Sequence, residues 1–254
     1  MLRSCSLIAF ICLTAGLFSC AGQALQSGNE DHLITYPQWF LTPPIDLSCA
    51  VGYARSYFHR QSSIEQAIEN AIDQLARQYQ VDIVGGRITI DQVQVADFSE
   101  VTPSALRKQV SNQYHVWATY ETPQLLLVLI GNQKRKLTTR KTLASQKKPG
   151  WLSNRPVNDG FIYGVGNCNP RYHPEIGWQT AEKHARINLA VNLQAKIRHL
   201  GKYATDYNEQ IASTEIEVRL KNIAVVARWY DIEDRSYHVL IRVADNKTDR
   251  KTVK

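Results

Sequence analysis

Two stretches of the chain carry apolar residues at steps of three and four, the spacing that gathers them on one face of a helix. Ile64, Ala67, Ala71, Leu75 and Tyr79 predict a helix over 62–80, and Trp178, Ala181, Ala185, Leu189, Leu193, Ile197 and Leu200 predict a second. The first is followed by Val81, Ile83, Ile88, Ile90, Val93 and Val95, whose β-branching and partial alternation read as strand. Two further strand pairs, 114–121 with 125–130 and 223–231 with 237–243, are joined by the short polar turns Glu121-Thr122-Pro123-Gln124 and Ile232-Glu233-Asp234-Arg235-Ser236. Such turns suit hairpins.

The order of these elements occurs twice. Pro37-Gln38-Trp39-Phe40 is matched by Pro149-Gly150-Trp151-Leu152, and Ala50-Val51-Gly52-Tyr53-Ala54 by Tyr163-Gly164-Val165-Gly166. Within the helices Ala67, Ala71 and Leu75 match Ala181, Ala185 and Leu189 at a constant offset of 114. The pattern predicts an α+β fold of two tandem modules, 36–131 and 149–245, each an antiparallel sheet with a long helix packed on one face. A basic linker at 132–148 joins them, and 246–254 is a polar tail.

The N-terminus adds an address. Arg3 precedes an apolar run from Leu7 to Phe18, too short to span a bilayer and followed by a polar segment, the layout of a secretory signal at 1–19. Leu17-Phe18-Ser19-Cys20 resembles the bacterial lipobox, which implies cleavage before Cys20 and acylation of that cysteine, with 20–35 as tether. An ordinary signal peptide with an incidental cysteine is the alternative. Two or more acyl chains anchor stably where one is marginal. Ala21, rather than aspartate, after the cysteine is compatible with sorting to the outer membrane, facing the periplasm.

Composition gives a net charge of +7, and the excess is local. Lys134, Arg135, Lys136, Arg140, Lys141, Lys147 and Lys148 crowd the linker; removing them and Arg3 from the 30 basic residues leaves 22 against 23 acidic ones. For an exported chain this favours lipid head groups, cell-wall polymer or acidic proteins over nucleic acid. A binding site for an anionic surface and a soluble connector explain the run equally well. Arg186, Lys196 and Arg198 on the second helix read as a solvated face.

Candidate chemistry is sparse. The histidines lack metal-ligand spacing, no nucleophile or phosphate-loop motif is present, and an enzymatic reading would need His173, Glu175 and Asp159 to converge. No catalytic residue, metal or cofactor is expected. Gly164-Val165-Gly166 reads as a strand closely approached by a helix or loop, and Gly85-Gly86 as a turn or bulge. Trp39, Trp151, Trp117 and Trp178 read as core anchors. Cys49 and Cys168 fit either a bridge or two buried free thiols.

The second copy resembles a domain of the bacterial LPP-twenty lipoprotein family, which includes flagellar outer-membrane lipoprotein P and is related to the N-terminal part of the flagellar T-ring protein. Pro149-x-Trp151-Leu152, Tyr163-Gly164-Val165-Gly166, Ala181-x-x-x-Ala185-Arg186-x-x-Leu189-Ala190, Val225-Val226-Ala227-Arg228-Trp229 and Tyr237-His238-Val239-Leu240 carry the likeness. The first copy departs further, with Gln74 in place of the helix arginine. The resemblance implies a small α+β domain without known catalysis and a role in envelope or flagellar basal-body assembly through protein contacts. Homo-oligomerisation by sheet-edge pairing is the corollary; peptidoglycan or glycan binding is the alternative function.

Overall fold

The computed structural model describes residues 35–45, 48–57, 59–90, 93–143, 147–157, 160–202 and 214–245. Cys20, its tether, Asp159 and the C-terminal tail lie outside the described residues.

In chain order the elements are β1 (Thr35–Pro37), α1 (Gln38–Leu41), β2 (Cys49–Ala54), α2 (Arg60–Tyr79), β3 (Gln80–Ile90), β4 (Val93–Val101), α3 (Ser104–Gln113), β5 (His115–Glu121) and β6 (Leu126–Gly131). They continue as β7 (Lys141–Leu143), α4 (Gly150–Ser153), β8 (Phe161–Cys168), α5 (Pro174–Lys202), β9 (Thr214–Lys221), β10 (Ala224–Asp231) and β11 (Ser236–Ala244). The fold is α+β, with every strand pairing antiparallel.

The repeat is topological. The first half forms a sheet ordered β2-β6-β5 and the second a sheet ordered β8-β11-β10, so each first strand lies beside the last strand of its hairpin. Both hairpins shift register at the matching place, between Val116 and Ala118 and between Val225 and Ala227. The turns close locally: Thr122 N–H donates to the Leu125 carbonyl at 2.8 Å, and Asp231 Oδ1 accepts from the N–H groups of Glu233 and Asp234 at 3.0 and 3.2 Å.

The helices cross their sheets over glycine. A Cβ on Gly52 would stand 1.8 Å from the Ala67 carbonyl oxygen, and one on Gly166 would stand 2.1 Å from that of Ala181. Both contacts sit at the same offset of the repeat. Alanine opposite glycine lets α2 approach β2, and α5 approach β8, almost backbone to backbone. The close-approach expectation for Gly166 is met. Gly85-Gly86 behaves otherwise: both residues stay in the β3 ladder opposite Phe98 and Asp97, without a register shift. A Cβ on Gly85, at φ 151°, would lie 2.0 Å from the Asp97 carbonyl oxygen, so glycine there admits a close neighbouring strand.

The halves do not stand apart. β9 of the second half pairs with β3 of the first over eight residues, completing a shared third sheet, β4-β3-β9. The turn after β9 also caps α2: Asn222 N–H, in the left-handed region at φ 54°, donates to Tyr79 O at 3.2 Å, and Ile223 N–H to Gln78 O at 2.8 Å. These are helix-end carbonyls that lack a partner within the helix.

The core follows the same plan. Ala50, Ala54, Leu126, Val128 and Ile130 face α2 and α3, whereas Val51, Tyr53, Leu127 and Leu129 face a second cluster with Trp178, Leu189, Val218, Tyr237 and Ile241. The first sheet is therefore covered on both faces rather than one. This accounts for the unbroken apolar run Leu125-Leu126-Leu127-Val128-Leu129-Ile130, since alternation is needed only where one face meets water. Each fully buried leucine contributes about 2 kcal/mol.

Trp39, Trp117 and Trp178 are buried as expected. Trp151 is only half-buried, and α4 buries no residue. The core of Tyr36, Phe40, Trp178, Tyr230 and Tyr237 joins rings at 5.0–6.5 Å, mostly edge to face.

Candidate functional site

Three polar features stand out as candidate sites, and the first lies in the interior. α5 carries Glu182 and Arg186 on a face turned toward the first half, where both are buried. Glu182 Oε1 accepts from Arg228 Nη2 at 2.6 Å and Nε at 3.1 Å, and takes a short hydrogen bond from Tyr53 Oη. Arg228 Nη1 donates to the Phe40 carbonyl at 2.8 Å, and the guanidinium lies 4.7 Å from the Phe40 ring centroid.

One turn along, Arg186 Nε and Nη2 donate to the two Glu100 oxygens at 2.6 and 3.1 Å, Nη1 donates to Gln74 Oε1 at 3.2 Å, and Arg77 approaches Glu100 at 3.6 Å. Arg186 is thus no solvated residue. Its charge needs a partner because desolvation is costly in so dry a place. The chain of groups draws on α1, α2, β2 and β4 of one half and on α5 and β10 of the other, so it ties the halves together. Lys196 and Arg198 have side chains outside the described set.

Burial, with the adjacent Glu182 carboxylate, holds the Tyr53 hydroxyl well above its ordinary pKa against the pull of Arg228, so it remains a donor. Burial likewise raises Tyr36 and Tyr237. Folded-state pKa values above the unfolded value of about 10 mean that these groups' contribution to stability is complete below that pH and is lost as pH rises through the folded values. The expected outcome is a thermal midpoint that falls from about pH 10 upward. Ultraviolet absorbance of these three tyrosinates should develop together with unfolding, not ahead of it.

The second feature is the basic stretch. It is not a free linker along its whole length. Trp117 Nε1 donates to the Gln133 carbonyl at 2.6 Å, Leu137 N–H to the Trp117 carbonyl at 3.0 Å, Trp39 Nε1 to Thr139 Oγ1 at 3.5 Å and Gln38 N–H to the Arg140 carbonyl at 3.0 Å. β7 then pairs with β1, Lys141 opposite Pro37 and Leu143 opposite Thr35. The segment is a ribbon laid on the first sheet, and its cationic side chains all point outward: Lys134, Arg135, Lys136, Arg140 and Lys141 are exposed. Among the described residues none of these five lies in an ion pair. Lys134, Arg135 and Lys136 flank a groove of about 710 Å³ beside His115, Trp117 and Thr119.

Lys148 belongs elsewhere. It borders the third feature, a groove of about 500 Å³ on the second sheet with Asn167, Asn169, Asp231, Asp234, Ser236, His238 and Trp229. His238 lies 5.2 Å from Trp229, ring centre to ring centre, and shares a 2.8 Å hydrogen bond with Ser236. Burial lowers its pKa.

The remaining expected residues fall in place separately. Cys49 and Cys168 are both buried, and no disulfide joins them in this structure. Cys49 borders a cavity of about 290 Å³ with Pro43, Pro44, Gln78, Asn222 and Arg228. Glu175 pairs with Arg55 at 3.4 Å. No group of three or more His, Cys, Asp or Glu residues stands close enough to hold a metal among the described residues. No helix there is long and apolar enough to cross a membrane.

The outer edge of β8 is covered by α5. Carbonyls of Tyr163, Val165 and Asn167 accept from Asn192, Asn188 and His184, one turn apart on α5, at 3.1, 2.7 and 2.6 Å. Such covering protects an edge from foreign strands. In the first half, Asn70 reaches the Tyr53 N–H of β2 at 3.2 Å. Asn70 and His184 occupy equivalent positions of the repeat.

Compared with protein-family models, with curated proteins and with solved structures, the chain matches none. The likeness to LPP-twenty proteins rests on the residues quoted for it.

Proposed function

We propose that the chain is an envelope lipoprotein, acylated on Cys20 at the periplasmic face of the outer membrane, whose folded body is a structural or assembly factor acting through protein contacts. The flagellar basal body is the assembly that the LPP-twenty-like residues single out. The observation that carries this reading is the seam of β1 with β7, which builds the residues directly after the tether into the body. The shared sheet and the buried Arg–Glu chain support it further, because a body that transmits position from an anchor to a partner has to be stiff.

The test is a clean deletion scored for swimming and for basal-body rings by electron cryotomography, beside Cys20→Ala. A missing or thinned ring, partly reproduced by Cys20→Ala, is the expected result. Intact rings and normal swimming would remove the flagellar assignment, and an unacylated Cys20 peptide in the mass spectrum would remove the lipoprotein one.

A second reading, binding of cell-wall glycan, is favoured by the groove on the second sheet. Its amides, carboxylates and hydroxyl beside Trp229 are the groups that hold sugars. Retention on purified cell wall that is lost in Asn167→Ala with Asp231→Ala would support it.

A further inference from the structure

We infer that the ribbon of Lys134, Arg135, Lys136, Arg140 and Lys141 is a docking surface for the anionic lipid head groups of the same bilayer that holds the acyl chains. The inference rests on the lipoprotein reading above.

Three observations converge. First, the cations are held on a fixed backbone by the Trp117, Trp39 and Gln38 contacts and by β7, so they form a surface rather than a mobile tail. Second, they are exposed and make no ion pair among the described residues, and the one ring contact, Lys141 Nζ at 5.9 Å from the Tyr120 centroid, leaves that ammonium open to solvent, so no carboxylate of the described residues neutralises their charge. Third, β7 lies directly beside β1, the first described element, so the chain leaving the tether and the cations occupy one place on the body.

Fourteen residues lie between Cys20 and Thr35, a span of at most about 50 Å when fully extended. Any shorter arrangement brings the ribbon nearer the head groups. Attraction becomes effective within a Debye length of about 8 Å at physiological ionic strength, and multiple lysines and arginines act together there. An acidic protein could meet the same charge, but position beside the tether favours lipid: the anchor confines this face near the bilayer, and the local concentration of head groups is high. Docking would fix the orientation of the body, leaving the second sheet and its groove available to other partners.

The acylated full chain is reconstituted into vesicles of phosphatidylglycerol with phosphatidylethanolamine, or of phosphatidylcholine alone, and treated with an amine-reactive reagent. Labelling is quantified peptide by peptide, and acylation of Cys20 is verified by mass in the same digest. Lys134, Lys136 and Lys141 are expected to label at least about fivefold more slowly on the anionic vesicles, with the difference removed by high salt, while exposed Lys183 on α5 labels equally on both. Equal labelling on the two vesicles with Cys20 acylated would overturn the inference. If Cys20 proves unacylated, the tether reading fails by itself, and the same vesicles added to that chain still decide the ribbon by protection or its absence. Equal protection by soluble polyphosphate would overturn the lipid assignment in favour of polyanions in general. Replacing the five with glutamine should leave the thermal midpoint unchanged and abolish the protection; protection that survives would also overturn the inference.

Discussion

Glu182→Ala is expected to cost about 3–5 kcal/mol, because it leaves Arg228 buried with no counter-charge. The Arg228 side chain is 1 % exposed and the Glu182 side chain 2 %, so water cannot take the place of the carboxylate. Tyr53 Oη loses its acceptor in the same step, and Arg186 loses its second carboxylate neighbour. In a body of this size that loss lowers the thermal midpoint by roughly 10 °C. Glu182→Leu combined with Arg228→Met should recover a large part of it, since an apolar pair of similar volume often substitutes for a buried ion pair without penalty. The recovery stays incomplete, because the Phe40 carbonyl and the Tyr53 hydroxyl remain without their partners. Circular dichroism through heat and urea measures both; a single-variant loss below about 1 kcal/mol would mean that water reaches the pair.

Gly52→Ala and Gly166→Ala are expected to destabilise by about 3 kcal/mol each, at the upper end for overpacking. The added methyl meets backbone in both cases: the Ala67 carbonyl oxygen at 1.8 Å and the Ala181 carbonyl oxygen at 2.1 Å. Neither atom can rotate away, so the helix must lift from its sheet and open the packing beneath. Gly150→Ala is the control, since a Cβ there meets nothing within 4 Å, and it should change stability by less than about 0.5 kcal/mol. Equal losses at Gly52 and Gly166 would give the repeat an energetic counterpart. A neutral result at either would mean that the helix is not seated as described.

The two long helices and both hairpins were legible because their information is local. Ala67, Ala71 and Leu75 define a stripe on α2 whatever else the chain does, and Asp231 closes its own turn through the amides two and three residues on. The matching stripe on α5 and the constant offset of the repeat exposed the common topology as well. Arg186 was harder to read. A charged residue beside Ala185 looks like the polar border of an amphipathic helix, and its carboxylate partner Glu100 lies 86 residues away. The clue that could have been used is the company of Arg228, which sits among Val225, Ala227, Trp229 and Tyr230 in a strand with few other polar positions.

The basic stretch shows a similar division. Its charge was plain from composition, but which cations act together depended on backbone contacts with Trp117, Trp39 and β1. Those contacts separate Lys134 through Lys141 from Lys148, which stands by the groove of the second sheet.

By itself, then, the sequence determined the α+β class, the paired helices, the hairpins and the close approach at Gly164-Val165-Gly166, all of which follow from period and from neighbours a few residues apart; that alanines of the helices supply that approach came from the tertiary structure. The tertiary structure decided that β9 completes the sheet of β3, that the first sheet is covered on both faces and that charged residues close the space between the halves. The reason is that strand pairing and buried charge are satisfied by partners far along the chain. Many such partners are chemically acceptable to any one segment, and only simultaneous burial of all of them selects the set that is found.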